Sequence, residues 1–374
     1  MRTTASYDLF PDAPSERAMA RARWLAREGR TADAESAYRS LLASHPDLKA
    51  AWAECFELLR ATGRTGEALQ LAERAVAHFH ESGFSLTLLG AALIELGRYA
   101  DALAALERAV EADPDLALVW HELGYAAYKL GDKNRALLAL DRAFALEPHT
   151  ETLKLRGRVL RDAGRYQAAE VAFEGAAQAA EHPEQRSESE REIATTRRYA
   201  LYAPRKPDDL GPSERWFADT GTVVLAPDPG PVAPSDETLI ATFAELAADS
   251  GWEFGQVVTV GGRAALWASL GEQLNAPVVG AAAFDPPTCP LVVAPAPAPL
   301  DRSWLKLTGA VQAQGAGLVF ALDHPADVAG IQADVIGVLT DGGERRMRAP
   351  NPVHALSEAQ HPGARLAGRR LRPI

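Results

Sequence analysis

Cysteine is almost absent from the 374-residue sequence, which contains only Cys55 and Cys289. Two cysteines so far apart provide neither a disulfide framework nor a cysteine-based zinc site within one chain. The nine histidines form no HExxH motif and show no paired spacing. We therefore expect no metal site, no cofactor and a reducing compartment.

Long apolar runs and an excess of positive charge are absent as well. Residues 1–10 hold no apolar stretch of signal-peptide length, and no later segment approaches the roughly 18 apolar residues of a membrane span. The formal net charge is −11, which argues against nucleic acid as a partner. Lysine is scarce, with 6 Lys against 33 Arg, as is typical of a GC-rich genome. We expect a bacterial, cytoplasmic protein without membrane segments.

A glycine that recurs every 33 or 34 residues is the strongest pattern in the first half of the chain. Such a period is the signature of stacked structural repeats. Aligning the units on this glycine produces a column of alanines and a second column of apolar residues. The three columns are Gly29, Gly63, Gly97, Gly131 and Gly164; Ala34, Ala68, Ala102, Ala136 and Ala169; and Tyr38, Ala72, Leu106, Leu140 and Phe173.

Each unit is predicted to form two amphipathic helices that meet at the recurring glycine. Glycine adopts the left-handed conformation that ends a helix, and the prolines that close several units cannot continue the second helix. A small residue within the first helix, as at Gly90 and Gly124, lets two helices cross closely. Ala22 and Phe56 stand at this position in the first two units, which are more degenerate.

Residues 83–116 and 117–150 closely resemble tetratricopeptide repeats, and the resemblance extends over residues 15–183. It implies an α-solenoid of stacked helix pairs. Residues 184–202 continue as a polar helical segment, which we interpret as a capping helix because the last unit would otherwise expose its stacking face. The predicted array with its cap therefore covers residues 15–203.

The pattern changes after residue 203. Residues 204–215 are rich in proline and charge, which predicts a linker. Residues 216–344 alternate short apolar runs with helical stretches, which predicts a small α/β domain with a largely parallel sheet. The predicted strands are 221–226, 256–260, 291–294 and 317–322, and the predicted helices are 237–248, 263–274, 303–314 and 326–339.

Charge is divided unevenly in this second half. Residues 204–344 carry a net charge of −12, whereas residues 345–374 carry +6. The last segment is rich in Arg, Pro and Gly, which predicts a poorly ordered basic tail. Two hypotheses account for it, namely docking onto the acidic body of its own chain or binding of an acidic partner.

Four motifs suggest chemistry, and for each we favour a structural interpretation. Asp-Thr-Gly at residues 219–221 matches half of an aspartic protease site, which needs two carboxylates. Val-Gly-Gly-Arg at residues 260–263 opens a helix where a phosphate could bind, but the full glycine fingerprint is absent. Asp323 and His324 follow a strand without a nucleophile serine motif in the chain. Cys289 fits as a small apolar residue before a strand. We expect no catalytic residues.

The concave face of the array is the better candidate site. The resemblance implies that the first helix of each unit lines this face and binds an extended or helical peptide. An aromatic centre flanked by arginine suits a peptide with an apolar anchor and acidic groups, although some side chains could merely cover the neighbouring helix. The Lys and Asn ladder of the chaperone-binding members is missing, which argues against a co-chaperone. The matching residues are Arg23, Arg27, Arg60, Phe84, His121, Tyr125, Tyr128, Lys154, Arg158 and Arg161, together with Met19, Ala53, Glu57, Thr87, Ala91 and Ile94.

The leading hypothesis is a non-enzymatic adaptor that binds a protein or peptide through the array and uses the α/β domain as a second binding or assembly surface. The alternative is an enzyme or small-ligand sensor whose site lies in the α/β domain and which the array directs to a target. Fold alone does not distinguish the two. Self-association through the array is a third hypothesis.

Overall fold

The computed structural model describes residues 13–226, 234–284, 289–296, 302–314, 317–325, 333–341 and 344–345. Residues 346–374 of the predicted basic tail lie outside the described residues. The chain divides into two compact units, residues 1–163 with 168–190 and residues 164–167 with 191–374. The domain limits predicted from the sequence at residues 203 and 216 stay a prediction.

The first half of the chain folds into consecutive helix pairs, which confirms the predicted α-solenoid. Five pairs are followed by one longer polar helix. The helices are α1 (Ala13–Arg27), α2 (Thr31–Ser44), α3 (Lys49–Ala61), α4 (Thr65–His78), α5 (Gly83–Glu95), α6 (Tyr99–Ala112), α7 (Ala117–Lys129), α8 (Lys133–Leu146), α9 (Thr150–Asp162), α10 (Tyr166–Ala179) and α11 (Pro183–Ala200).

Small residues determine both the turns and the crossings of these pairs. The recurring glycines follow the first helix of each pair with φ between 70° and 84°, a conformation that glycine adopts without steric cost. Inside the third pair, a Cβ atom on Gly90 would lie 2.5 Å from Leu106 Cγ. Ala102 on the second helix is completely buried. The two helices therefore pack at a distance that larger residues would not allow.

The second half alternates strands with helices, which confirms the predicted small α/β domain. Single 3-10 turns occur at Pro207–Asp209 and Ala281–Ala283. The other elements are α12 (Pro212–Thr220), β1 (Val223–Val224), α13 (Asp236–Asp249), β2 (Gln256–Thr259), α14 (Ala264–Gln273), β3 (Val278–Gly280), β4 (Pro290–Ala294), α15 (Arg302–Gln314), β5 (Leu318–Pro325), β6 (Val335–Asp341) and β7 (Glu344–Arg345).

The strands form one sheet in the order β1-β6-β5-β4-β2-β3, and all of these pairings are parallel. Strand β7 pairs with β6 in the antiparallel direction. Neighbouring residues of one strand belong to different cores, since Val257 packs in the cluster of Phe243 on α13 and Val258 in that of Trp304 on α15. The sheet is therefore covered on both faces, as parallel sheets usually are.

One predicted helix is wrong in the part that the structure describes. The prediction placed a helix over residues 326–339, but Val335–Asp341 is strand β6, while residues 326–332 lie outside the described residues. The run from Val335 to Leu339 is buried against both cores. A continuous apolar run of this kind does not distinguish a buried strand from a buried helix.

Two elements of the second half are missing from the prediction. Strand β3 is only three residues long, and helix α12 begins inside the stretch predicted as a linker. Asp219 and Thr220 end α12, and Gly221 follows with φ of 81° as its left-handed cap. The strand predicted over residues 221–226 is correspondingly reduced to Val223–Val224.

Candidate functional site

The ten predicted site residues lie on the first helices of the five pairs, α1, α3, α5, α7 and α9. Contacts between successive first helices show that they share a face. Arg23 on α1 pairs with Glu54 on α3 at 2.6 Å, and Arg60 on α3 pairs with Glu95 on α5 at 3.2 Å. The first helices therefore lie side by side. We call the face that these contacts follow the groove face.

The cations near the end of the array are already paired with carboxylates. Lys154 Nζ lies 2.9 Å from Glu151 and 2.5 Å from Glu188 at the start of α11. Arg158 contacts the same Glu188 at 3.2 Å. Lys154 is buried, so its partners replace the water that the ammonium group has lost. Together with the Arg23 pair, these contacts neutralise much of the arginine flank that the sequence assigned to an acidic peptide.

The aromatic centre lies on α7 and is half-buried. Nδ1 of His121 lies 3.0 Å from Thr152 Oγ1 on α9, and burial lowers the pKa of His121. The Tyr128 hydroxyl donates to Asp162 at 2.5 Å, and burial with this bond raises the pKa of Tyr128. Tyr125 stands between them in sequence with the Lys129 ammonium 5.3 Å from its ring centroid. Its ring is thus in a position to contact both apolar and cationic groups.

The remaining predicted residues differ in their surroundings. Phe84 packs edge-on against Phe79 with 5.5 Å between the ring centroids, and it is partly buried against the core that α1 to α5 form. Arg161 is mostly buried, with its guanidinium 5.8 Å from the Phe173 ring centroid. Arg27 is exposed. Phe84 and Arg161 thus take part in packing, as the alternative interpretation of these side chains expects.

Glu122 is a residue of this face that the sequence reasoning missed. It follows His121 on α7, and burial raises its pKa to about 7. Arg60 acts in the opposite direction, whereas Glu57 and Glu95 raise the pKa further. Glu54 stands in the same repeat position of the second pair, so the repeat alignment offered a signal. The Glu122 side chain is half-buried, and this burial depends on packing that no alignment contains.

Comparisons with known proteins identify the repeats. Models of the tetratricopeptide repeat match residues 25–83 and 117–150, and a further model of this repeat matches residues 90–131. The helix pairs between residues 25 and 150 are tetratricopeptide repeats. No family is recognised in the second half of the chain. A search of curated proteins finds no match.

Several solved structures are similar to the tetratricopeptide array. TTC0263, a thermophilic TPR protein of Thermus thermophilus, shares 20% identity with a TM-score of 0.43, covering 48% of this chain and 98% of that one. PilW, described as a type IV pilus biogenesis factor, shares 20% identity with a TM-score of 0.42, covering 50% and 89%. YrrB, described as having an unusual peptide-binding site, shares 18% identity with a TM-score of 0.34, covering 46% and 90%.

The motifs after the tetratricopeptide array have structural roles in the described residues. Asp219 accepts a hydrogen bond from the Tyr199 hydroxyl at 2.6 Å. His324 is buried with its ring 5.4 Å from that of Trp216, and the Asp323 amide donates to Pro295. Burial raises the pKa of the Cys289 thiol, which makes it a poor nucleophile.

The glycine turn after β2 occupies a special place in the sheet. Gly261 has φ of 87°, and Arg263 has φ of 77° and forms an ion pair with Asp236 at the start of α13. The chain runs from β2 outward to β3 and then returns to β4 on the other side of β2. Ligands of open α/β sheets bind outside the carboxyl ends of strands at such a reversal.

Two general searches complete the description. Within the described ranges, no group of three or more His, Cys, Asp or Glu side chains is arranged to hold a metal ion. None of the described helices combines the length and the apolar content needed to cross a bilayer.

Proposed function

We propose that the chain is an adaptor that binds a peptide segment of a protein partner along the groove face of its tetratricopeptide array. The observation that carries this proposal is a row of side chains on α7 that remain partly or largely exposed to solvent. Leu118 is 52% exposed, and His121 and Tyr125 are half-buried. Their spacing of three and four residues places them on one side of the helix. An apolar anchor of the partner would cover Leu118 and the Tyr125 ring.

The α/β domain is the second surface of this adaptor in the proposal, and no catalytic activity is assigned to it. The acidic character that the sequence predicted for the partner is not part of the proposal. Lys154, Arg158 and Arg23 already have carboxylate partners, and an acidic peptide would have to replace them. The apolar anchor remains part of the proposal, because Leu118 is 52% exposed and Tyr125 is only half-buried against the core of the array.

Selection of random displayed peptides on the full chain tests the groove. We expect the selected peptides to bind Tyr125→Ala at least about tenfold more weakly, since truncating an aromatic hot spot at the centre of an interface costs about 2 kcal/mol or more, and about 1.4 kcal/mol is already tenfold. Tyr99→Ala is the matched control, because Tyr99 is also half-buried but lies on the second helix α6. Selected peptides that bind both variants as tightly as the unaltered chain would contradict the proposal.

A second candidate function is small-ligand binding by the α/β domain. The reversal of strand order between β2 and β4 favours it, because the Gly261 turn lies at the carboxyl end of β2. A thermal-shift screen of the full chain against nucleotides and common metabolites tests this candidate. A ligand of this turn should stabilise the unaltered chain and lose about tenfold in affinity with Arg263→Ala. The absence of any shift would leave the adaptor as the better account.

A further inference from the structure

The first helix pair contains a cleft between α1 and α2 that uses other residues of α1 than the groove face does. Its volume is about 410 Å³. Trp24 on its wall is 47% exposed, whereas the other six tryptophans of the chain are buried or half-buried. Arg30 and Asp33 at one end pair with each other at 2.6 Å. We call this surface the α1–α2 cleft, and its lining includes Ala18, Arg21, Trp24, Ala37, Ser40 and Leu41.

The later first helices bury the residues that correspond to Trp24 in the repeat. Ala92, Ala126 and Val159 are completely buried, and Leu58 is half-buried. In each of these cases the second helix of the preceding pair packs against the first helix, as α2 does on α3 and α4 on α5. Ala92 accordingly belongs to a core that the preceding pairs share. The α1–α2 cleft is therefore the surface that a preceding segment covers in the later pairs.

The sequence before α1 ends like the second helices of the array. Residues 1–12 precede α1 and lie outside the described residues, and the last two of them are Pro11 and Asp12. The same Pro-Asp pair follows α2 at residues 46–47 and α6 at residues 114–115. Proline closes a unit there because it cannot continue a helix. Residues 5–10, which we call the leading segment, thus hold the place in the sequence that the end of a second helix holds later.

The charge of the leading segment complements the cleft. Its one charged residue is Asp8. Arg21 lines the cleft, and no ion pair or hydrogen bond of its side chain is found in the described ranges. Arg156 stands at the same repeat position on α9, and it pairs with Asp141 of the preceding second helix α8 at 2.6 Å. The array therefore already contains an arginine of this column that is bound by an aspartate of the preceding segment.

The leading segment also has the length and the apolar content to cover the cleft. Helix α1 rises about 10 Å between Ala18 and Leu25, and a stretch of four residues such as 7–10 spans about 10 Å when extended. Two residues remain for the reversal of the chain before α1. Tyr7, Leu9 and Phe10 provide aromatic and aliphatic surface that suits an exposed indole ring.

We propose that the leading segment binds in the α1–α2 cleft of its own chain, with its apolar side chains against Trp24 and the Asp8 carboxylate at the Arg21 guanidinium. It adds a partial repeat to the described array. It also closes the cleft to a peptide partner and to a second copy of the chain. This inference is independent of the proposed function, because the groove face is formed by other residues of the first helices.

Photocrosslinking in the full chain tests the position of the segment. The photoreactive residue p-benzoylphenylalanine replaces Phe10, and ordinary chains are mixed with isotope-labelled chains before irradiation. We expect crosslinks from position 10 to residues of the cleft, each joining two peptides of the same isotope composition. The same probe at Leu138, which is 73% exposed on α8, serves as the control and should not reach the cleft. Crosslinks between labelled and unlabelled peptides would assign the cleft to a second copy and overturn the inference, and so would crosslinks that reach no cleft residue.

Exchange of the two charges provides an independent measurement. Asp8→Arg and Arg21→Asp should each raise hydroxyl-radical oxidation of Trp24 at least about twofold, because two like charges then face each other and the segment leaves the ring. The double variant D8R/R21D should restore the oxidation of the unaltered chain. D8R/R27D is the matched control, since Arg27 is exposed on α1 outside the cleft, and it should stay as oxidised as Asp8→Arg alone. Unchanged oxidation in Asp8→Arg, or equal restoration by both double variants, would overturn the inference.

Discussion

Replacing Gly90 by phenylalanine should disrupt the third helix pair and lower the free energy of unfolding by more than about 3 kcal/mol. A Cβ atom at this position would lie 2.5 Å from Leu106 Cγ and 2.6 Å from Leu106 Cδ2. Leu106 is completely buried on α6, so its side chain has no free space to move into. An aromatic ring would therefore force α5 away from α6.

A second substitution, at Leu106, should restore much of the stability that Gly90→Phe removes. Leu106→Ala alone should cost about 2 to 5 kcal/mol, because it leaves a cavity in a closed core. In the second helix pair, the corresponding positions are Phe56 and Ala72, which are both fully buried. The large residue there is on the first helix and the small one on the second. The double variant G90F/L106A reproduces that arrangement and should recover most of the lost stability.

Urea denaturation of the four full-length proteins, followed by far-ultraviolet circular dichroism, measures this coupling. Hydrogen exchange at α5 and α6 assigns the change to the third pair. A local loss of stability there should leave the exchange rates of the α/β domain unaltered. The two single substitutions should be strongly non-additive, as expected for residues in contact. The double variant could instead lose as much stability as the two single substitutions together. That result would contradict the idea that a large residue on the first helix and a small one on the second can replace the opposite arrangement.

The pairing of a large with a small residue at each helix crossing also explains how far the sequence predicts the array. Each crossing joins residues about 16 positions apart, as in Gly90 with Leu106, and repeats at a nearly constant period. Local contacts of this kind leave their pattern in the sequence, because every unit solves the same packing problem. Phe56 looked degenerate only because its column was considered alone. Beside Ala72 it fits the same combined volume.

The second half was less predictable because its contacts are not local. Strand β6 lies between β1 and β5, although β1 precedes it by more than a hundred residues. Its apolar run indicates burial but not the type of element. Strand β3 consists of Val278, Val279 and Gly280, and three residues are too short for a periodic signal.

In the candidate site, too, the sequence predicts the local pattern but not the contacts with distant residues. Helix spacing places Arg23, Tyr125 and Arg158 on the first helices, as predicted. It does not reveal their partners, since Glu54 and Glu188 come from neighbouring units about thirty positions away. The charge available to a ligand is what remains after these pairs form. For that reason Glu122, for which no ion pair is found among the described residues, escaped the sequence reasoning.

Replacing Gly317 by alanine should destabilise the α/β domain by about 3 kcal/mol or more. Gly317 has φ of 89°, where a Cβ atom is strained. That atom would also collide with the Pro290 carbonyl oxygen and lie 2.8 Å from Pro290 Cδ. These are parts of the neighbouring strand, whose Leu291 is in register with Leu318. The collision therefore acts on the pairing of β4 with β5.

Gly261→Ala is the matched control for this substitution. Gly261 has nearly the same φ, 87°, but a Cβ atom there would make only an ordinary contact of 3.4 Å with Pro295. It should therefore cost only the conformational part, about 1 to 2 kcal/mol. Urea denaturation followed by tryptophan fluorescence measures both variants, since Trp267 and Trp304 are completely buried in this domain.

The reactivity of Cys289 locates the damage. This thiol is 2% exposed beside β4, and the Gly317 backbone forms a hydrogen bond with it. In the unaltered chain a maleimide should label Cys289 slowly, because burial both blocks access and raises the pKa of the thiol. Gly317→Ala should accelerate labelling at Cys289 severalfold more than Gly261→Ala does.

Cys55 is completely buried in the array and serves as the internal control, because its labelling should stay slow in both variants. Peptide-resolved mass spectrometry therefore separates opening of the β4–β5 pairing from general unfolding. Equal acceleration by both variants would mean that backbone conformation, and not the collision with Pro290, controls this pairing.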